Sequence, residues 1–333
     1  MKSRFQIWRD RFLGLGGDRA DAPLWIDESA SRDEDEDAEA LRILRGVRRV
    51  EITSRRLVQE VFAGEYHSAF KGQGIEFSGV REYVPGDDVR LIDRNVSARS
   101  QHPYIKIFHE ERELSVVFLV DQSASTRFGS GKKTRAEVAA ELVAVLAFSA
   151  VSNNDKVGAL LFSEKPEKWI APRKGRRHAL RLVREVLFRK PEARGTSLAA
   201  ALEMAVRVLK RRSLIFIISD FHDEGYETAL SIAARRHEVA PLVLVDPLER
   251  ALPDVGLIEW EDLETGVRRL VDSGDPEVRR QHAASRRRFE TEELPRRLHG
   301  SGESPIFLPL DGDYIQPLYR YFEGRVRRRA RTG

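Results

Sequence analysis

Three short runs constrain the fold more than any other part of the sequence. Residues 116–120, 213–219 and 239–245 are apolar at nearly every position, and each is followed by an aspartate: Asp121, Asp220 and Asp246. A strand that is apolar on both faces belongs in a parallel sheet with helices covering both sides. Stretches with helical spacing lie between and around these runs: the Ala- and Val-rich residues 134–152, the amphipathic residues 176–188, and residues 198–211 and 225–237. Residues 155–163 read as another strand, with 168–171 as its hairpin partner. This alternation predicts an α/β fold built on a doubly wound, mostly parallel sheet. In such sheets ligands bind in the crevice at the carboxyl ends of the strands, which is where the aspartates fall.

The 333 residues allow one principal domain with smaller additions. Residues 1–40 read as a flexible N-terminal appendage: an apolar set (Phe5, Ile7, Trp8, Phe12, Leu15) that docks on the body or touches a membrane surface, then an acidic linker at 32–39. Residues 41–112 read as a helix over 41–65 followed by a small β-rich module inserted before the main sheet, with Pro85-Gly86-Asp87-Asp88 as a strong turn. Residues 113–250 carry the sheet. Residues 251–333 form a mixed C-terminal extension: a hairpin over 256–271 turning near 264–266, a charged helix over 275–299, a strand over 306–310, and a last helix over 314–329 running into a basic tail.

Cysteine is absent, which excludes a disulfide framework and a thiolate zinc site. No stretch approaches the roughly 20 apolar residues of a membrane span, and residues 1–10 lack an apolar signal core, so the expectation is a soluble, cytoplasmic protein without a transmembrane segment. The net charge of +4 is spread over a chain in which 33% of residues are charged and both signs alternate. The basic tail has no interleaved aromatics, so no specific nucleic-acid partner is expected.

Asp121, Ser123 and Ser125 follow the first buried strand at alternate positions, Thr196 sits at a loop-to-helix junction, and Asp220 closes the second buried strand. Two carboxylates and three hydroxyls, with no His or Cys, are hard oxygen donors suited to Mg²⁺, Mn²⁺ or Ca²⁺. Each residue alone has a plainer reading: Thr196 as a helix N-cap, the serines as bonds to the loop backbone, and an aspartate as a turn residue. Their co-occurrence in this order favours the metal.

Asp121-x-Ser123-x-Ser125, Thr196 in Gly-Thr and Asp220 at a strand end resemble the metal-ion-dependent adhesion site (MIDAS) of von Willebrand factor A domains. The upstream segment R-E-Y-V-P-G-D-D-V-R-L-I-D, residues 81–93, is similar to a bacterial family of unknown function that carries such an A-like domain and is commonly encoded beside MoxR-type AAA+ ATPases. The resemblance covers about residues 55–250. It implies an A-like fold and divalent-metal-dependent protein contacts. It also implies a role as adaptor or co-chaperone-like partner of such an ATPase in assembling or maturing protein complexes, with the partner offering an acidic side chain to the metal. Departures are Arg94 where the family has Trp, Thr126 where it has Met, and Phe221-His222-Asp223 after Asp220 in place of glycine.

Arg81, Tyr83, Asp87, Asp88, Arg90, Asp93 and Arg99 are open to two readings, an internal network holding the β-rich module and a docking surface. A non-enzyme is expected, because Ser123 replaces the second aspartate a haloacid-dehalogenase-type phosphatase needs, and residues 126–134 miss the P-loop pattern. A metal-assisted hydrolase using the same site, with His222 as a base, is the alternative.

Overall fold

The computed structural model describes residues 76–332 apart from 101, 110–113, 132 and 190. The appendage, acidic linker and helix expected over residues 1–65 lie outside the described residues. The inserted module consists of β1 (Glu76–Glu82) and β2 (Tyr104–His109), paired antiparallel, with a helix α1 (Arg94–Ser100) between them. The antiparallel pair forms the β-rich module expected before the main sheet, and α1 lies within it. Asp93 Oδ1 accepts from the N–H groups of Asn95 at 2.9 Å and Val96 at 3.1 Å, satisfying donors that a helix start leaves open.

β3 (Ser115–Asp121) leads into α2 (Arg135–Ser152), β4 (Lys156–Phe162), β5 (Pro166–Arg173), α3 (Arg176–Phe188), α4 (Leu198–Val208), β6 (Leu214–Ser219), α5 (Glu227–Arg236) and β7 (Glu238–Val245). After a short α6 (Pro247–Arg250) come the hairpin β8 (Leu257–Glu261) and β9 (Arg268–Asp272), then α7 (Pro276–Arg288), α8 (Leu294–Leu298), β10 (Ile306–Pro309) and α9 (Ile315–Thr332). The six-stranded sheet runs β10-β7-β6-β3-β4-β5, parallel except for β5 against β4. The fold is von Willebrand factor A-like, with β1–β2 and β8–β9 as small accessory sheets.

Alternation along the strands builds two cores. Val116, Phe118 and Val120 of β3 face one side with α2, α3 and α9; Val117 and Leu119 face the other with α4, α5 and α8. Phe118 and Phe216, partners in the β3–β6 register, stack at 5.8 Å with no exposure, and each contributes about 2–3 kcal/mol of burial. α2 is buried nearly all round because it lies between the sheet and α3, and Thr134 with Glu137 closes its N-terminus in a capping box.

The charged helix expected over 275–299 is interrupted by a π-turn at Phe289–Glu293. Pro295 follows that turn and has no N–H to continue the regular ladder. Among the described residues no helix is long and apolar enough to cross a membrane. From β3 the chain moves outward to β4 and β5, then returns to the opposite side of β3 with β6, so the carboxyl ends of β3 and β6 flank the point where the winding reverses.

Candidate metal centre

Three loops meet at this point, and hydrogen bonds from backbone N–H groups lace them together. Ala124 N–H donates to Arg194 O at 2.9 Å, which lays the segment holding Thr196 beside the Asp121–Ser125 loop. Leu198 N–H donates to Asp223 Oδ2 at 2.7 Å, tying the start of α4 to the loop after β6.

The side chains follow. Asp121, buried, accepts from Ser123 N–H at 2.8 Å and from Ser219 Oγ at 2.8 Å. Ser123 Oγ and Ser125 Oγ lie 2.9 Å apart, and the Ser125 hydroxyl bonds to the Asp220 carboxylate. Burial, then the charge of Asp220, push the Asp121 carboxyl up to about 7 against the hydrogen bonds it accepts. Burial also opposes ionisation of Asp220, but His222 and Arg135 beside it, with the hydrogen bonds from His222 N–H and the Ser125 hydroxyl, hold it below the usual carboxylate range.

Asp121, Ser123, Ser125 and Asp220 therefore form one continuous group. The Thr196 side chain bonds elsewhere. The helix N-cap is Ser197, whose side chain accepts from Ala200 N–H, so the N-cap reading of Thr196 does not hold. Thr196 Oγ1 instead donates to Glu264 Oε1 at 2.8 Å, a carboxylate from the β8–β9 turn. Burial raises the Glu264 pKa; the Thr196 bond opposes this, and the charges of Asp220, Asp262 and Asp223 reinforce it.

The donor set suits a small hard cation. In an octahedral ion with bonds of about 2.1 Å, neighbouring oxygens are about 3.0 Å apart, and the serine oxygens already stand at 2.9 Å. Asp121 is a buried carboxylate that, among the described residues, pairs with no basic side chain. Ser125 and Thr196 are only partly buried, leaving the rim open to solvent.

Beside the rim lies a group the sequence reading did not assemble. Ligand atoms of Asp220, His222 and Glu249 fall within 4.8 Å of one another and could hold a divalent cation. Two buried arginines serve the same trio. Arg135 pairs with Glu249, lies 3.9 Å from Asp220 and donates to Ser125 O at 3.0 Å. Arg286 reaches Glu249 at 3.1 Å and His222 Nε2 at 2.9 Å. With these cations in place, the Asp121 side of Asp220 is the part in want of positive charge. Arg135 had one local signal: a basic residue in the first turn of a helix opposes the dipole there. Glu264 had none, since D-L-E-T-G reads as an ordinary turn.

In the inserted module, Arg81 and Asp87 form a bidentate pair at 2.7 Å for both bonds, and Asp87 also accepts from Val84 N–H. Asp88 accepts from Arg90 N–H at 2.9 Å, Asp93 caps α1, and Tyr83 N–H donates to Pro103 O. Arg90 and Arg99 make no ion pair among the described residues, and Asp93 also lies 3.9 Å from Lys106 Nζ, so the charges of this module form two ion pairs and two caps.

Phe221 occupies the position where adhesion domains carry glycine, and its φ of 59° is the left-handed conformation that glycine adopts freely. Its full burial against Tyr226, with ring centroids 6.2 Å apart, offsets the strain.

The family model described as Protein of unknown function DUF58 matches residues 79–292. The uncharacterized protein Rv1480 of Mycobacterium tuberculosis is 30% identical over 289 residues, covering 86% of this chain and 90% of its own length. The uncharacterized protein MAV169 of Mycobacterium avium is 31% identical over 161 residues, 47% of this chain and 94% of its own. Among solved structures, the conserved hypothetical protein BatB from Bacteroides thetaiotaomicron aligns with a TM-score of 0.42 at 17% identity over 64% of this chain and 99% of that one. The SpRpn10 VWA domain aligns with a TM-score of 0.37 at 10% identity, over 62% and 94%. Scores this low carry no argument, and the fold assignment rests on the strand order given above.

Proposed function

Because the chain belongs to the family described as Protein of unknown function DUF58, we propose a function for its strand-end rim: a metal-dependent protein–protein interaction module. In this reading Asp121, Ser123, Ser125 and Thr196 hold Mg²⁺, or Mn²⁺ or Ca²⁺, and Asp220 fixes water and charge around it. A bound cation of this kind supplies an electrophilic position that a partner's carboxylate can enter. The observation that carries the reading is the pair of buried carboxylates, Asp121 and Asp220, joined through Ser123 and Ser125 at the reversal of the sheet, with no basic partner on the Asp121 side among the described residues. Few of the donors are charged, so positive charge is left over for an acidic side chain.

The partner class is an adaptor's: a MoxR-type AAA+ ATPase, with this chain assisting the assembly or maturation of other protein complexes in the cytoplasm. Support for that comes from the R-E-Y-V-P-G-D-D-V-R-L-I-D segment and its resemblance to families encoded beside such ATPases. The fold and the Asp/His/Glu cluster resemble interaction modules more than catalytic machinery. The test is co-purification of the chain with a MoxR-type AAA+ ATPase in Mg²⁺ and in EDTA, for wild type and Asp121→Ala. Retention only in Mg²⁺, lost in the variant, supports the reading; equal retention in EDTA removes it.

A further inference from the structure

Glu264 comes from a part of the chain with little other reason to be at the rim. β8 and β9 pair with each other and with no other strand among the described residues, and much of the hairpin is exposed, with Leu257 at 67% and Leu270 at 71%. A two-stranded hairpin on its own is marginally stable in water. Its turn is nonetheless sharply defined. Asp262 accepts from Glu264 N–H at 2.9 Å and from Thr265 Oγ1 at 2.7 Å, Gly266 N–H donates to Asp262 O at 2.7 Å, and Gly266 takes a φ of 72° that favours glycine. The effect is to hold one carboxylate out from the tip, and that carboxylate lands on Thr196, 68 residues earlier in the chain.

Two further features make the contact more than a surface hydrogen bond. Thr196 spends its only hydrogen on Glu264, which leaves its oxygen lone pairs free for a cation. The 2.8 Å between the two oxygens matches the edge of an octahedron of about 2.1 Å bonds, as the serine pair does.

We propose that Glu264 is an intramolecular ligand of the rim: it occupies the coordination position that a partner's acidic side chain takes, and the β8–β9 hairpin is a built-in competitor that must leave before a partner binds. This rests on the reading of the rim as a metal site. Specificity would then belong to partners whose carboxylate outcompetes a tethered one, a high effective concentration to overcome.

The experiment uses the full chain with Mn²⁺ as the probe. Binding is followed by electron paramagnetic resonance, inner-sphere waters are counted by pulsed methods in oxygen-labelled water, and hydrogen exchange is measured over residues 257–272. In wild type, Mn²⁺ should slow exchange in the hairpin. Glu264→Gln should weaken Mn²⁺ by about tenfold or more, add one inner-sphere water and uncouple hairpin exchange from the metal. Glu264→Ala should do the same, and an unchanged urea midpoint in either variant shows that the fold is intact. Mn²⁺ binding that is lost in Asp121→Asn but unchanged or tightened in Glu264→Gln, with the same water count, overturns the inference and leaves the metal site standing. Absence of any Mn²⁺ binding by wild type overturns both.

Discussion

Replacing Arg135 with methionine should destabilise the protein by about 3 kcal/mol. The guanidinium is 4% exposed, pairs with Glu249, lies 3.9 Å from Asp220 and donates to Ser125 O at 3.0 Å. Removing one partner of a buried pair costs about 3–5 kcal/mol, because a charge is left without compensation. The lower end applies here, since Arg286 still reaches Glu249 at 3.1 Å and methionine refills part of the volume. With a urea m-value of about 3 kcal/mol/M for a chain of this size, the midpoint should fall by about 1 M. Arg135→Met combined with Glu249→Gln should lose less than Arg135→Met alone, because the stranded carboxylate has gone. Urea unfolding followed by tryptophan fluorescence and far-UV circular dichroism reads wild type and both variants. A shift below about 0.3 M for Arg135→Met would place the arginine among exposed pairs worth under about 1 kcal/mol and refute the reasoning.

Gly158→Ala tests the register of the sheet edge: its Cβ would lie 2.7 Å from Ile170 O and 2.9 Å from Pro172 N. Overpacking of this kind costs about 1–3 kcal/mol, visible as a lower thermal midpoint, and an unchanged midpoint would mean that β5 does not sit where described. Asp87→Asn tests the module by pH. The Arg81 hydrogen bonds, then the Val84 N–H, hold the Asp87 carboxyl below its ordinary value, so its contribution is present above the unfolded pKa of about 3.9 and is lost as pH falls through the lower folded value. The difference in unfolding midpoint between wild type and variant should be constant above about pH 5 and shrink below about pH 4; a difference that grows on acidification would contradict the pairing.

The parallel core was legible because its strands must be apolar on both faces, and three such runs can be satisfied only by a doubly covered sheet. The proximity of Asp121, Ser123, Ser125 and Asp220 was legible for a related reason. Asp121 and Asp220 end strands whose carboxyl ends adjoin in any doubly wound topology, and the serines follow at a spacing that keeps them in one loop. The α1 helix was not legible, because Asp93 acts as a cap only once the backbone has turned, and the composition around it favours turns. Glu264, Glu249 and Arg286 were hidden for a different reason. They reach the rim from α6 and the C-terminal extension through contacts separated by 64 to 114 residues, and nothing local to α6, to D-L-E-T-G or to the Arg-rich α7 marks them. The partner of the Thr196 hydroxyl, Glu264, could be known only from the fold, in which Ser197 takes the capping role.

In the proposed site Asp121, Ser123, Ser125 and Thr196 hold a divalent cation with Asp220 fixing water and charge around it, and calorimetric titration with Mg²⁺ of wild type and Asp121→Asn tests this most directly. One Mg²⁺ bound per wild-type chain, with binding abolished in a variant that unfolds at the wild-type urea midpoint, is the predicted result. Equal Mg²⁺ binding by the two proteins would contradict it.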